Sequence, residues 1–149
     1  MSNPGGNATV LVVEDDPCLL YLVERMLANG GFVPFTAGGA ADGLSMVRER
    51  QGRFDLAIVD MVMPGMSGLD LATELVREYP SIEILYISGY VGSLAADALA
   101  RHTPDRVLLK PFTEEALLER VRKLLEISAR GEGDPSTQSS RATGDGTGG

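Results

Sequence analysis

The sequence has one cysteine, no membrane-length apolar run and too little positive charge to balance its acids. A lone Cys18 forms no disulfide within the chain, which fits a reducing compartment. No stretch approaches the roughly 18 apolar residues of a membrane-spanning helix. Met1 to Asn7 shows no basic segment leading into an apolar one, so a secretory signal is not expected and a soluble, cytoplasmic protein is. Thirteen Lys and Arg against twenty-one Asp and Glu leave a formal net charge of -8. That balance argues against a nucleic-acid surface, which gathers Lys and Arg on one face. Acidic residues near strand ends instead suit a hard divalent cation.

What the chain does have is an ordinary core. Hydrophobic residues make up 44% of 149 residues, within the globular range and of one-domain length. Both ends read as tails. Residues 129–149 are rich in Gly, Ser and Thr and nearly devoid of large apolar side chains, so they cannot offset their ordering entropy. The expected organisation is a disordered tail over 1–7, one domain over 8–128 and a disordered tail over 129–149.

Within the domain, short apolar runs alternate with helical patterns. Thr9 to Val13 reads as a buried strand, followed by a helix opened by Pro17, carrying Leu19, Leu20, Val23, Met26 and Leu27, and closed by Asn29-Gly30-Gly31. Phe32 to Thr36 is a second strand, placed at a sheet edge by Pro34. A weaker helix follows over about Gly39 to Arg50. Leu56 to Val59 form a third strand ending at Asp60. Ser67 and Asp70 then cap a helix expected to bury Leu69, Ala72, Leu75 and Val76. Ile82 to Ile87, a loose helix over about Ser93 to Arg101, and Val107 to Leu109 come next. A last helix after Thr113 presents Leu117, Leu118, Val121, Leu124 and Leu125. Five strands alternating with five helices imply a doubly wound parallel α/β sheet covered on both faces.

In such sheets ligands bind beyond the carboxyl ends of the strands. There the chain places Glu14-Asp15-Asp16, Asp60, Ser88-Gly89 and Lys110-Pro111. Crowded carboxylates repel unless a cation joins them or their pKa values rise, and Mg²⁺ suits a few oxygens plus water.

The set Val12-Val13-Glu14-Asp15, the run Ile58-Val59-Asp60-Met61-Val62-Met63-Pro64-Gly65-Met66-Ser67-Gly68, then Ile87-Ser88-Gly89-Tyr90 and Lys110-Pro111-Phe112 resembles the response-regulator receiver family of two-component signalling. The S-G-Y and L-K-P-F-T segments are also similar to receivers at the C-termini of hybrid histidine kinases. The resemblance implies a flavodoxin-like sheet of order 2-1-3-4-5 and a phosphorelay function. Asp60 would accept a phosphoryl group from a phosphohistidine on a histidine kinase or phosphotransfer protein. Mg²⁺ would be held by Asp15, Asp60, the Val62 main-chain carbonyl and, through water, Glu14. Lys110 would pair with a phosphoryl oxygen, Ser88 would turn its hydroxyl toward another, and Gly89 would leave the donor room. A cis Lys110-Pro111 bond is also implied.

Such a protein is a phospho-acceptor rather than a turnover enzyme. Its output is expected by protein contact, through the fourth connecting helix, fifth strand and last helix, as a monomer or a phosphorylation-dependent dimer. One departure concerns the switch: where the family often has Phe or Tyr, this chain has Val107, so the usual aromatic coupling is missing and Tyr90 is a candidate substitute. Val62 and Tyr90 should flank the phosphoryl group and hinder water, which predicts slow autodephosphorylation. Two rivals are a phosphatase of the haloacid dehalogenase type, which would want a second acid at Val62, and a receiver-like module that is never phosphorylated.

Plainer roles fall to other residues. Asp16 reads as a helix cap, Cys18 as a small residue beside the site and His102 as solvent-facing near a helix end. Met61, Met63 and Met66 read as packing, and Arg120, Arg122 and Lys123 as a solvated helix face.

Overall fold

The computed structural model describes residues 8–89, 98–99 and 101–130. Its elements run β1 (Thr9–Val13), α1 (Pro17–Asn29), β2 (Val33–Ala37), α2 (Ala40–Glu49), β3 (Leu56–Asp60), α3 (Gly68–Glu78), β4 (Glu83–Ser88), β5 (Val107–Leu109) and α4 (Glu114–Arg130). A 3-10 turn over Pro104–Arg106 leads into β5. The strands form one parallel sheet of order β2-β1-β3-β4-β5, the order expected.

Alternation along each strand divides the core into two layers. Val10, Val12, Ile58, Leu85 and Ile87 face one side, where α1 brings Val23 and Leu27 and α4 brings Leu117, Val121 and Leu124. Leu11, Val13, Ala57, Val59 and Ile84 face the other, packed by Leu44 and Val47 of α2 and by Leu71 and Leu75 of α3. A stretch of strand buried on both faces reads as a continuous apolar run, as Val10 to Val13 of β1 and Leu56 to Val59 of β3 do. Pro34 lies in β2, an edge strand bonded only to β1, so its missing N–H costs the ladder nothing.

The α3 face differs from the expected one. Leu71, Ala72 and Leu75 are buried together with Gly68, whereas Val76 is 48% exposed and Leu69 only half-buried. The cause is the seating of the helix start. A β-carbon added to Gly68 would lie 1.9 Å from the Asp60 carbonyl oxygen. The Gly68 N–H donates to the Met61 carbonyl at 3.2 Å, so the first turn rests against the end of β3 and the helix rotation is fixed from there. Ser67 caps it as expected, accepting from the Asp70 N–H at 3.1 Å.

The last helix runs past the boundary read at Ser128, through Arg130. Both expected tails, apart from residues 129–130 at that helix end, lie outside the described residues. So does most of the helix expected over about Ser93 to Arg101, although residues 98–99 and 101–102 are helical. Among the described residues, no helix is long and apolar enough to cross a membrane.

Candidate functional site

The carboxyl ends of β1, β3, β4 and β5 bring the anticipated residues to one rim. Glu14 follows β1, anchored by its N–H on the Ala37 carbonyl at 3.1 Å. Its side chain turns inward and is only 1% exposed, and one oxygen accepts from the Asp16 N–H at 3.0 Å. Asp15, the next residue, is exposed. Asp16 is the cap of α1, its Oδ1 accepting from the Cys18 N–H at 3.0 Å.

Asp60 closes β3 and is buried. Its Oδ1 accepts from the Val62 N–H at 3.1 Å and its Oδ2 from the Lys110 ammonium at 3.1 Å. Lys110 follows β5, and its N–H donates to the Ser88 carbonyl at 2.8 Å. That bond sets the lysine beside the buried Ser88 at the end of β4. The Lys110-Pro111 bond is cis, as the resemblance implied.

The charges explain one another. Glu14, Asp15 and Asp60 each offer an oxygen within 4.8 Å of the others. Glu14 Oε1 is buried without a hydrogen-bond partner, with the Lys110 ammonium 3.4 Å away. Burial raises the Glu14 pKa from the ordinary 4.5 to about 7; the bond from Asp16 opposes the rise and the Asp60 carboxylate adds to it. Burial works against the Lys110 ammonium, yet its bond to Asp60 and the two nearby carboxylates prevail and raise its pKa. A buried acid that must stay protonated or find a cation marks a place built for positive charge. The oxygen-only donor set fits Mg²⁺, which takes few protein oxygens and keeps water.

Other anticipated residues have defined surroundings. Val62 is 64% exposed at the mouth of the site. A β-carbon on Gly89 would come within 3.1 Å of Lys110 Cδ, so this glycine also gives room to the lysine stem. Val107 is buried, directly across the β4–β5 ladder from Tyr86, a half-buried phenol that sequence reasoning passed over. Tyr90 lies outside the described residues. Cys18 and His102 are exposed, while Met61 and Met63 are core.

Two roles were not anticipated. Gly68 was quoted as part of a motif, but its contact with the Asp60 carbonyl comes only from the fold. Arg120 is not part of a free solvated face: its Nη1 donates to the Val107 carbonyl at 2.7 Å and lies 3.2 Å from that of Pro104. Lys123, by contrast, is exposed as expected of a solvated face, where it pairs with Asp105 at 3.1 Å.

The model of the response regulator receiver domain family matches residues 10–122. The chain belongs to that family. Among curated relatives it is 35% identical over 125 residues to the sensor kinase CckA of Brucella abortus, a match covering 81% of this chain and 13% of the kinase. It is 33% identical to the probable transcriptional regulatory protein TcrX of Mycobacterium tuberculosis, covering 81% of this chain and 51% of that protein. The receiver thus spans at most about half the length of these relatives. Among solved structures, the response regulator TrrA of Thermotoga maritima in complex with Mg²⁺ and BeF superposes with a TM-score of 0.66 at 29% identity. That match covers 78% of this chain and 98% of TrrA.

Proposed function

We propose that this receiver takes a phosphoryl group on Asp60 from a phosphohistidine of a histidine kinase or phosphotransfer protein, with Mg²⁺ required. The carrying observation is the convergence of a buried Asp60, two further carboxylates and the Lys110 ammonium at one rim. In the transfer an Asp60 oxygen bonds to phosphorus, the P–N bond breaks, and its electron pair stays with the imidazole. Most of the catalytic demand is placement and charge neutralisation, since the phosphoryl oxygens carry the charge throughout.

Asp15, Asp60 and the Val62 carbonyl would hold Mg²⁺, with Glu14 acting through water, and the ion would neutralise phosphoryl charge. Lys110, already within hydrogen-bond reach of Asp60, exchanges its carboxylate partner for a phosphoryl oxygen. Ser88 supplies a hydroxyl donor from the adjacent strand, and Gly89 keeps the approach open. The chain is a phospho-acceptor and not a turnover enzyme. It acts in the cytoplasm, without nucleic-acid contacts of its own. Output passes by protein contact through β5, α4 and the helix expected between β4 and β5, as a monomer or as a dimer formed on phosphorylation.

The test is incubation with Mg²⁺ and an acyl phosphate, followed by intact-mass measurement. Gain of a single phosphoryl group, absent in Asp60→Asn and absent with chelator, is the expected result. No gain in the wild-type chain, or equal gain in Asp60→Asn, refutes the reading.

A further inference from the structure

β5 is three residues long and lies at the sheet edge, bonded only to β4, yet Lys110 hangs directly from its end. So short an edge strand has little ladder of its own to hold a catalytic lysine in place. The Lys110 N–H donates to the Ser88 carbonyl, so by strand alternation Leu108 and Lys110 turn their backbones to β4, while Val107 and Leu109 turn theirs to the open edge. An open-edge carbonyl at half-buried depth needs a donor. Arg120 of α4 provides it. Its Nη1 donates to the Val107 carbonyl at 2.7 Å and sits 3.2 Å and 3.4 Å from the carbonyls of Pro104 and Asp105. One guanidinium therefore gathers the 3-10 turn and the first residue of β5 onto the helix.

A second clamp holds the same segment from the opposite side. Arg106 pairs with Glu83 at 2.7 Å and reaches the Ile84 carbonyl at 3.3 Å, tying the turn to the start of β4. From Val107 the strand has one course to Lys110, whose ammonium lies 3.1 Å from Asp60 Oδ2. Where the family often has a bulky aromatic, Val107 adds only a small buried side chain to anchor the strand.

We infer that Arg120 is a positioning residue for the phosphoryl-transfer site, fixing β5 through the Val107 carbonyl so that Lys110 meets Asp60. The inference rests on the receiver reading above and adds to it a residue remote from the chemistry. Misplacement of a catalytic group by a distant change costs up to about 100-fold in rate.

The experiment measures uptake from an acyl phosphate with Mg²⁺ in the wild type, Arg120→Met, Arg120→Lys, Lys110→Met and the Lys110→Met/Arg120→Met double variant. Methionine keeps the apolar stem and removes the donors; lysine restores one donor without the planar fork. Arg120→Met should slow the maximal rate roughly 10- to 100-fold with little change in half-saturating donor, and Arg120→Lys should recover part of it. The double variant should be no slower than Lys110→Met, because Arg120 acts through the lysine. Hydrogen exchange gives a readout independent of activity. The Lys110 amide should lose protection in Arg120→Met, while the Val12 and Ile58 amides keep theirs. If Arg120→Met does not fold, Arg120→Lys carries the same comparisons.

Uptake at the wild-type rate in the Arg120 variants, a double variant slower than Lys110→Met, or unaltered Lys110 protection overturns the inference. Absence of uptake in the wild type strikes the receiver reading itself, and this inference with it. Normal wild-type uptake with an unaffected Arg120 variant strikes the inference alone.

Discussion

Glu14 makes the metal-free protein less stable as pH rises through about 7, and Glu14→Gln should reveal this. Its carboxyl is 1% exposed, and its pKa lies at about 7 rather than 4.5. The folded state therefore binds a proton between about pH 4.5 and 7 that the unfolded chain has released. Stability slopes downward wherever the native state holds more protons. The contribution is fully present below pH 4.5 and is lost as pH rises through about 7. Between pH 5 and pH 8 the loss is on the order of 2 kcal/mol. Glutamine has no such proton to lose. In chelator, urea unfolding of both proteins at the two pH values should show the gap moving in favour of Glu14→Gln by that amount. Any packing defect from the amide appears equally at both pH values and cancels. Added Mg²⁺ at pH 8 should restore the wild type, by about 2.7 kcal/mol at a hundredfold excess over its dissociation constant, and should help the variant less. A gap that is the same at pH 5 and pH 8, or one that moves toward the wild type, refutes the reasoning.

Gly68→Ala should cost at least about 3 kcal/mol in urea unfolding, because its methyl would overlap the Asp60 carbonyl and neither backbone can yield without moving the site; stability near wild type would show that α3 seats differently. Ser67→Ala should lose roughly 1 kcal/mol by the same measurement, the worth of a helix cap, with phosphoryl uptake unchanged. Aspartyl-phosphate decay, followed by intact mass, should quicken in Val62→Asn, where an amide at the exposed mouth can orient water, and in Tyr90→Glu. Unchanged or slower decay in both removes Val62 and Tyr90 as barriers to hydrolysis.

Much of this protein is determined locally. Apolar runs such as Thr9 to Val13 and Leu56 to Val59 have a single use in an alternating β and α pattern, as strands buried on both faces. Once the strands are placed, the sheet rule puts Glu14, Asp15, Asp60, Ser88 and Lys110 at one rim, and the motif around Asp60 carries the resemblance to the receiver family. Pro17, Asp16 and Ser67 mark helix starts because capping depends only on near neighbours.

The tertiary structure alone decided what depends on distant segments meeting. Periodicity did not tell that α3 buries Leu71 and exposes Val76, since the helix rotation is set by Gly68 against the Asp60 carbonyl. Of two adjacent acids, Glu14 turned inward and Asp15 outward, and no local pattern separates them. Arg120 looked like one more charge on a wet helix until the fold brought the carbonyls of β5 and its turn within reach. Sequence carries the spacing of side chains along one element. Which partner each charge and carbonyl finds is settled by how the elements pack.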